Sequence, residues 1–306
     1  VTGVQTCALP ILFDLATFRA LTRAQTAQTP IVLYFHENQL SYPQNKRQRH
    51  GWQYGFINYV SALAADVIWF NSAYHLNDFF EMLPRMLKHF ADYNELETVD
   101  MLRERASVMP LGLDLRRFDA YRPPVTDGKP DVAPLILWNH RWEDEKNPRA
   151  FFAALDALQA AGYNFRVALA GENVRQEPRE FIAARERLGE RVVHYGYAET
   201  FADYARLLWA SDYVISTSYQ DFFGIAITEA MYCDCVPLLP RRLNYPHLVP
   251  KSQHAACLYN RGKLVNLLRH HLNGVVRADR DVLRAAVEPF DWSRMAARYD
   301  AALLSL

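Results

Sequence analysis

Short apolar runs of strand length alternate with longer helical patterns along the whole chain. In the first third the apolar runs are PIVLYFH (30–36), ADVIWFNS (65–72) and SVMPLG (107–112), and helical patterns occupy 54–64 and 74–90. Continuous apolar strands separated by helices are typical of a parallel, doubly wound sheet that is covered on both faces. The pattern therefore predicts an α/β domain in this part of the chain, assigned here to residues 1–118.

The same alternation starts again in the second part, for which we predict a domain over 134–306. Residues 119–133 contain three prolines, a glycine and charges of both signs, a composition that predicts a linker. Five strands, each followed by a helix, make a complete Rossmann-like domain. The predicted strands are 135–140, 165–171, 192–196, 213–218 and 235–240, and the predicted helices between and after them are 148–160, 177–188, 200–210 and 226–234.

The first domain looks incomplete at its amino-terminal end. A Rossmann-like domain begins with a strand and a glycine-bearing turn, whereas residues 12–23 have a helical pattern and precede the strand at 30–36. Residues 1–11, VTGVQTCALPI, carry no charge and resemble translated adapter sequence. We therefore expect the native sequence to resume near Phe13 and the amino-terminal domain to be truncated.

Composition and charge exclude several classes of protein. The 306 residues have a formal net charge of zero, so no global field attracts the chain to nucleic acid or to a membrane surface. No apolar run approaches the roughly 18 residues of a membrane span, so no membrane association is expected. The four cysteines are too few for a disulfide framework, and the lone Cys-Asp-Cys at 233–235 is a weak metal signal. We expect a cytoplasmic protein without a bound metal.

The segment from Asp221 to Pro240, DFFGIAITEAMYCDCVPLLP, is the most informative stretch of the chain. Gly224 lies between a predicted strand and a predicted helix, where free backbone N–H groups and the helix dipole favour an anion. Asp221 precedes this helix and Glu229 lies within its first turns, so both carboxylates can face one ligand. Acceptors for sugar hydroxyls beside donors for a phosphate predict a sugar nucleotide. An ordinary strand-to-helix turn with two solvated acids is the alternative.

Two cations follow the first strand of the second domain, in NHRWEDEKNP (139–148). Arg141 and Lys146 lie at the carboxyl end of a predicted parallel strand, where such sheets bind ligands. A guanidinium and an ammonium together suit a diphosphate and neutralise the charge that grows on it as a leaving group. The alternative is a surface ion-pair cluster with the glutamates and aspartate of the same loop, which contributes little. The turn at 194–199, HYGYAE, offers backbone groups and a tyrosine face to a nucleobase, or is a packed turn.

Two neighbouring segments of the first domain carry polar and basic side chains. YFHENQLSYP (34–43) places His36, Glu37, Asn38 and Gln39 directly after a strand, where they can bind sugar or acceptor, or else cap a helix. QNKRQRHGWQYGF (44–56) follows, and cations interleaved with aromatics suit single-stranded RNA. A solvated charged turn is the alternative for this second segment. Its candidate acceptor-binding residues are Lys46, Arg47, Arg49 and Trp52.

These motifs resemble a known family. Arg141 and Lys146, the Asp221/Glu229 pair with seven residues between them, and MPLGLDLRRF (109–118) are similar to retaining GT-B glycosyltransferases that use nucleoside-diphosphate sugars. Within that superfamily, YFHENQLSYP, WFNSAYHLNDF and DFFGIAITEAMYCDCVPLLP resemble the tRNA-queuosine alpha-mannosyltransferase family, once called glycosyltransferase-like domain-containing protein 1. The resemblance covers residues 13–306 and implies a GT-B fold, in which two Rossmann-like domains face a cleft.

The resemblance also implies the reaction and the roles of residues. The expected reaction transfers mannose, with retention, from GDP-mannose to queuosine in a tRNA anticodon loop, without a cofactor or metal. Asp221 stands where the superfamily more often has Glu, so its contact with the transferred sugar is expected to shift. The expected catalytic residues are His36, Arg141, Lys146 and Asp221, and the expected donor-binding residues are Arg141, Lys146, Tyr195, Gly196, Tyr197, Asp221, Phe223, Gly224, Ile225, Ala226 and Glu229.

Two other functions remain open at the level of sequence. A GT-B enzyme with a lipid or glycan acceptor is favoured by the zero net charge and disfavoured by the basic and aromatic segment 44–56. A non-catalytic module that binds a sugar nucleotide or RNA is consistent with the expected truncation. The sequence does not distinguish GDP from UDP as the donor nucleotide, and it does not give the oligomeric state.

Overall fold

A computed structural model describes residues 13–41, 51–124, 132–172 and 177–306. The chain divides into two compact units, Val1–Leu111 with Tyr299–Leu306, and Gly112–Arg298. The sequence analysis placed the boundary at 118 and assigned the whole carboxyl-terminal segment to the second domain. That assignment was wrong for the last eight residues, because contacts distant in sequence place Tyr299 with the first unit, where its hydroxyl donates to the Pro110 carbonyl at 2.9 Å.

The first unit contains a parallel sheet with the strand order β1-β2-β3 among its described residues. The strands are β1 (Val32–Phe35), β2 (Val67–Phe70) and β3 (Ala106–Val108), and the helices are α1 (Leu15–Leu21), α2 (Arg23–Thr26), α3 (Gly51–Ala64), α4 (Ala73–Leu87) and α5 (Thr98–Glu104). Each strand falls within or beside an apolar run of the sequence. Helix α5 was not predicted, since its seven residues give too short a pattern to recognise.

Helix α4 shows how local chemistry fixes the elements of this unit. The Ser72 side chain accepts a hydrogen bond from the His75 backbone N–H, which caps the first turn. The face of α4 that carries Phe79, Leu83 and Met86 is buried against the sheet. This packing fixes where the loop after β1 lies relative to the helix.

The second unit contains the larger sheet. Its strands are β4 (Leu135–Asn139), β5 (Arg166–Ala170), β6 (Val192–Gly196), β7 (Tyr213–Ile215), β8 (Val236–Pro240) and β9 (Leu258–Tyr259). Its helices are α6 (Pro148–Ala160), α7 (Arg179–Leu188), α8 (Phe201–Ala210), α9 (Ile225–Tyr232), α10 (Tyr245–Leu248), α11 (His254–Cys257), α12 (Leu264–Leu272), α13 (Arg280–Val287) and α14 (Trp292–Leu304), the last of which continues into the residues of the first unit.

All pairings in this larger sheet are parallel, and the strand order is β6-β5-β4-β7-β8-β9. Numbered from its own first strand, this is the Rossmann order, in which the direction of winding reverses between β4 and β7. Ligands bind such sheets at the carboxyl ends of the strands that flank the reversal. The topology therefore directs attention to the segments that follow β4 and β7.

Three predictions for this unit need correction. The sixth strand, β9, was missed because it has only two residues. Helix α9 ends at Tyr232 rather than at residue 234, since Asp234 adopts a left-handed backbone conformation with φ of 63°. Part of the predicted linker is structured, because Arg116–Tyr121 form a 3₁₀ helix in which the side chain of Phe118 is buried.

Candidate functional site

The segment after β4 carries the two predicted cations. Residues Asp144–Lys146 form a 3₁₀ turn, and Asn147 follows in the left-handed conformation with φ of 52°. Pro148 then opens α6 at a position where its missing N–H costs nothing. This compact turn brings Lys146 back toward the sheet edge, whereas Arg141 leaves the strand directly.

Lys146 is tied to the segment that follows β7. Its Nζ donates to the backbone carbonyl of Gln220 at 3.0 Å. The Thr217 hydroxyl contacts the carbonyl oxygens of Lys146 and Asn147 at 2.9 and 2.8 Å. The structure therefore brings Lys146 and the segment before Asp221 to one edge of the sheet, while their roles stay predictions.

Arg141 forms ion pairs with two glutamates of its own loop. Its guanidinium lies 3.1 Å from the Glu145 carboxylate and 3.4 Å from that of Glu143, and 58% of the Arg141 side-chain surface is exposed. Exposed pairs of this kind are worth only about 0–1 kcal/mol. A bound diphosphate can therefore displace them at small cost.

The turn before α9 is held by a buried tyrosine and an asparagine. The Tyr245 hydroxyl donates to an Asp221 carboxylate oxygen at 2.9 Å and is 2.7 Å from the Ser216 hydroxyl. Asn244 Nδ2 donates to the Phe223 carbonyl at 2.9 Å. These contacts fix the Asp221 carboxylate beside the amino-terminal end of α9.

Gly224 allows the chain to enter α9. Its φ is 97°, a value that residues with a Cβ rarely adopt. No side chain caps the helix, so the first backbone N–H groups, those of Ile225 and Ala226, lack an intrahelical partner. Phe223 was expected to bind the donor, but its side chain is buried and packs 5.2 Å from Phe290, so only its backbone remains available.

Glu229 lies inside α9 and is partly buried against α8. The Tyr204 hydroxyl donates to Glu229 Oε2 at 2.7 Å. Burial raises the pKa of the Glu229 carboxyl to about 7, although the hydrogen bond from Tyr204 acts in the opposite direction. At neutral pH this carboxyl is therefore close to half ionised.

A cavity of about 540 Å³ opens at the carboxyl ends of β4, β5 and β6. Its wall contains Arg141 on one side and Tyr204, the partner of Glu229, on another. The cavity is large enough for a nucleoside. The lining residues are Asn139, His140, Arg141, Glu143, Ala170, Gly171, Glu172, Tyr197, Ala198, Glu199, Thr200, Phe201 and Tyr204.

The turn after β6 was predicted to bind the donor through Tyr195, Gly196 and Tyr197, and these residues differ in their access to the cavity. Tyr197 is exposed and lines the cavity. Tyr195 was expected to contact the donor, but its hydroxyl donates to Glu177 and its ring packs 4.9 Å from that of Trp142. Gly196 contributes to the turn with a φ of 113°, and its carbonyl accepts from the Gly171 N–H at 3.0 Å.

Sequence reasoning missed several residues of this cavity. Asn139 ends a strand in which every residue is buried, and a polar residue at such a position was a usable signal. Tyr204 lies on an amphipathic helix, where an aromatic residue gives no signal of function. His140 is buried beside Ile215, and burial together with the nearby Lys146 lowers its pKa to about 3, so it remains neutral.

The loop after β1 in the first unit has a different organisation from the one expected. Asn38 was a candidate for acceptor binding, but it is fully buried, and its side chain bonds Asp78 and the Leu40 backbone N–H at 3.1 and 3.0 Å. Ser41 also donates to Asp78. Asn38 therefore holds the loop in shape rather than presenting a polar group to a ligand.

The remaining candidates on the first unit are at least partly accessible. His36 is exposed on one side and packs on Tyr34 with 4.8 Å between ring centroids, and partial burial lowers its pKa. The Gln39 side chain donates to Glu37 at 3.1 Å. Trp52 is 37% exposed and stacks on His89. Lys46, Arg47 and Arg49 lie outside the described residues.

Within 13–41, 51–124, 132–172 and 177–306, no three His, Cys, Asp or Glu side chains are grouped so that they could hold a metal ion. In the same part of the chain, no helix combines the length and apolar character needed to cross a membrane.

Two solved structures have a fold similar to that of this chain. HepE from Anabaena, in complex with UDP-glucose, matches 95% of this chain and 75% of its own with a TM-score of 0.69 at 17% identity. A trehalose-phosphate synthase from Burkholderia xenovorans, in complex with glucose-6-phosphate, matches 95% of this chain and 72% of its own with a TM-score of 0.67 at 14% identity. The likeness, together with the parallel sheets, confirms the GT-B fold class.

Two family models and a curated relative match the sequence. Residues 8–113 match the tRNA-queuosine alpha-mannosyltransferase N-terminal model, and residues 125–269 match glycosyl transferases group 1. The first match begins within residues 1–11, the segment that resembles translated adapter sequence. The tRNA-queuosine alpha-mannosyltransferase of Drosophila melanogaster is 32% identical over 276 residues, which cover 87% of this chain and 71% of that protein. The chain is therefore a glycosyltransferase and belongs to the tRNA-queuosine alpha-mannosyltransferase family.

Proposed function

We propose that this enzyme transfers mannose, with retention of configuration, from GDP-mannose to queuosine in the anticodon loop of a tRNA. The observation that carries the proposal is the 540 Å³ cavity at the carboxyl ends of β4, β5 and β6, with Arg141 in its wall and Glu229 bonded to Tyr204 of that wall. The acceptor is inferred from the name of the Drosophila relative.

The diphosphate of the donor binds between the loop after β4 and the start of α9. Arg141 exchanges its two glutamate partners for phosphate oxygens, and Lys146 supplies a point charge next to Gln220. The N–H groups of Ile225 and Ala226 add uncharged donors at the positive end of the helix dipole. Two fixed cations then stabilise the leaving diphosphate without a metal ion.

The carboxylates of the cavity favour guanine over uracil as the base. Glu143, Glu172 and Glu199 contribute to the lining. Guanine presents an N–H and an adjacent amino group on one edge, and a carboxylate accepts both. Uracil presents a single N–H between two carbonyl oxygens, which a carboxylate repels. The lining therefore supports GDP as the nucleotide of the donor.

The acceptor side involves the first unit. Trp52 is partly exposed on α3, directly after the basic segment 44–50, and a tryptophan can stack on an unpaired base of an anticodon loop. His36 and the Glu37–Gln39 pair are the accessible polar groups of the loop after β1. A tRNA substrate and three free, buried cysteines in the described ranges are consistent with a cytoplasmic enzyme.

The reaction proceeds by displacement on the face from which the diphosphate leaves. The bond between the anomeric carbon and the β-phosphate oxygen breaks, and the acceptor hydroxyl oxygen bonds that carbon. The hydroxyl proton passes to the departing phosphate oxygen, so no external base is consumed. Asp221, fixed by Tyr245, holds the hydroxyls of the transferred sugar, and Glu229 accepts from the ribose.

Incubation with GDP-mannose and queuosine-containing tRNA, followed by mass spectrometry of the digested nucleosides, tests the proposal. We expect a queuosine that has gained one hexose, and no such product with UDP-sugars or with tRNA that carries guanosine in place of queuosine. Transfer to lipid or glycan acceptors but not to tRNA would overturn the proposed acceptor. Binding of GDP without transfer to any acceptor would leave a sugar-nucleotide-binding module as the function of this chain.

A further inference from the structure

Asn139 and Tyr204, which line the cavity, form one continuous chain of hydrogen bonds with Glu229. Asn139 Nδ2 lies 3.3 Å from the Tyr204 hydroxyl, and that hydroxyl lies 2.7 Å from Glu229 Oε2. The same Nδ2 donates to the Ala226 carbonyl at 3.0 Å. These hydrogen bonds join the end of β4, helix α8 and helix α9. Asn139 and Tyr204 are 65 residues apart, and Tyr204 and Glu229 are 25 residues apart.

The direction of every bond in this chain is fixed by its partners. A backbone carbonyl only accepts, so the amide of Asn139 must point its NH₂ group toward Ala226. The second N–H of that group then reaches Tyr204 and occupies an acceptor position of its hydroxyl oxygen. Tyr204 has one proton, and it donates that proton to Glu229. The chain is therefore polarised from Asn139 toward the carboxylate.

This orientation leaves an unused acceptor at the cavity. Asn139 is 8% exposed and lines the cavity, and its Oδ1 is buried without a hydrogen-bond partner. An unpaired buried acceptor costs about 1–3 kcal/mol, and one that persists calls for an explanation. A ligand N–H or O–H donor in the cavity would satisfy it. Asn139 and Tyr204 thus both line the cavity, and the Tyr204 hydroxyl fixes one oxygen of the Glu229 carboxylate.

We propose that Tyr204 is a positioning residue that orients the Glu229 carboxylate toward the donor nucleoside, and that Asn139 Oδ1 accepts a second hydrogen bond from that nucleoside. The inference rests on the proposed function, because it assumes a nucleotide in this cavity. Tyr204 holds one carboxylate oxygen of Glu229, which leaves the other for the ligand. A nucleoside with neighbouring donor groups is the ligand that these two acceptors fit.

The ionisable groups around Glu229 determine how nucleotide binding at this hydrogen-bonded chain depends on pH. Tyr204 from α8 contacts the carboxylate, and Cys233, directly after α9, interacts with it electrostatically. Arg284 of α13 packs over Tyr232, the last residue of α9, at 4.3 Å and forms an ion pair with Asp234, which follows that helix. Ionised Glu229 is the stronger acceptor, so nucleotide affinity is expected to rise as this carboxyl loses its proton.

Calorimetric binding of GDP between pH 6 and pH 9 tests the inference, with Tyr204→Phe compared to Tyr232→Phe. Tyr232 is the matched control because its hydroxyl also donates to a carboxylate, that of Asp119 at 2.8 Å, from the same helix as Glu229 and away from the cavity lining. Both variants keep the aromatic ring and lose one hydroxyl. Titration of the GDP phosphates affects all proteins equally and cancels in the ratio of dissociation constants.

For Tyr204→Phe we expect GDP affinity about tenfold weaker than wild type at pH 7, the size of one charge-assisted hydrogen bond. The difference in GDP affinity between Tyr204→Phe and wild type should narrow toward pH 9. The lost hydrogen bond favoured the ionised Glu229 carboxylate, so its removal moves the rise in GDP affinity to higher pH. For Tyr232→Phe we expect lower resistance to urea, but the same GDP affinity as wild type at each pH. Asn139→Ala, which removes the unpaired oxygen, should raise the donor KM more than it lowers kcat.

A Tyr204→Phe variant whose GDP affinity and pH dependence match those of Tyr232→Phe would overturn the inference and leave Tyr204 a structural residue. If wild-type protein binds neither GDP nor UDP, the proposed function fails together with this inference. Binding by wild type with no change in Tyr204→Phe overturns the inference alone. Urea unfolding of each variant shows that loss of affinity does not reflect loss of the fold.

Discussion

The ammonium group of Lys146 donates a hydrogen bond to the backbone carbonyl of Gln220 at 3.0 Å, although the two residues are 74 positions apart. This contact joins the loop after β4 to the segment after β7, on the two sides of the point where the sheet reverses its winding. Lys146 therefore has a structural contact in addition to the phosphate contact proposed for it. A neutral side chain at this position would lose both.

Lys146→Ala should reduce turnover by roughly 10–150-fold, because one charge-assisted contact to the leaving diphosphate is worth about 1.5–3 kcal/mol. Arg141→Ala should fall in the same range. The measurement is kcat/KM for GDP-mannose. Arg149→Ala is the matched control, since Arg149 lies on the adjacent α6 with its side chain 84% exposed and pairs only weakly with Glu180. Equal rates for wild type and the two site variants would refute the diphosphate assignment.

Gly224→Ala should lower stability by about 1–2 kcal/mol, because the residue adopts a φ of 97° and a Cβ is strained there. A Cβ at this position would lie no closer than 3.5 Å to Leu248, so the cost comes from the backbone conformation rather than from a clash. We also expect weaker GDP binding, since the start of α9 shifts. Gly162→Ala, with a φ of 77° and open space around it, is the control that should lose stability without losing GDP affinity.

Glu229→Gln should change how stability depends on pH. The pKa of Glu229 is raised from 4.5 to about 7, so the folded state binds this proton more tightly than the unfolded state. Stability from the protonated form is fully present below pH 4.5 and is lost as pH rises through 7, a difference of about 3 kcal/mol. The Gln variant has no such proton to lose. Urea unfolding of both proteins at pH 5 and pH 8 should show the decline in wild type only.

Asp78→Ala should loosen the loop after β1. Asp78 accepts hydrogen bonds from Ser41 and from Asn38, which is itself fully buried, so its removal breaks both of these bonds. We expect a loss of about 1–3 kcal/mol in the free energy of unfolding and a higher KM for the tRNA acceptor, with donor KM unchanged. Glu81→Ala on the same helix breaks only an exposed pair with Arg85 and should leave both quantities unaffected. A rise in donor KM instead would contradict the assignment of this loop to the acceptor.

Much of the architecture could be predicted from local pattern. The apolar runs at 135–140 and 165–171 became β4 and β5 because a strand buried on both faces needs continuous apolar residues. Lys146 and Asp221 could be placed at one edge of the sheet from order alone, since carboxyl ends of parallel strands lie together. The motifs that carry the family resemblance were also local, and the comparisons confirm the family.

Local pattern did not decide which polar side chains face the cavity. Asn38 and Tyr195 looked available in sequence, yet each is engaged by a residue distant along the chain, Asp78 for Asn38 and Trp142 for Tyr195. Asn139 and Tyr204 gave weaker signals, yet both line the cavity.

The sequence by itself determined most of the strands and longer helices and the charged ends of strands, because these depend on residues within a few positions of one another. Tertiary structure alone decided that β4 and β7 are neighbours, that Tyr299–Leu306 belong to the first unit, and that Asn139, Tyr204 and Glu229 form one hydrogen-bonded chain. Contacts of this kind join residues 25–87 positions apart at the cavity. Packing across the whole unit determines which residues form these contacts, and such packing produces no periodic pattern in the sequence.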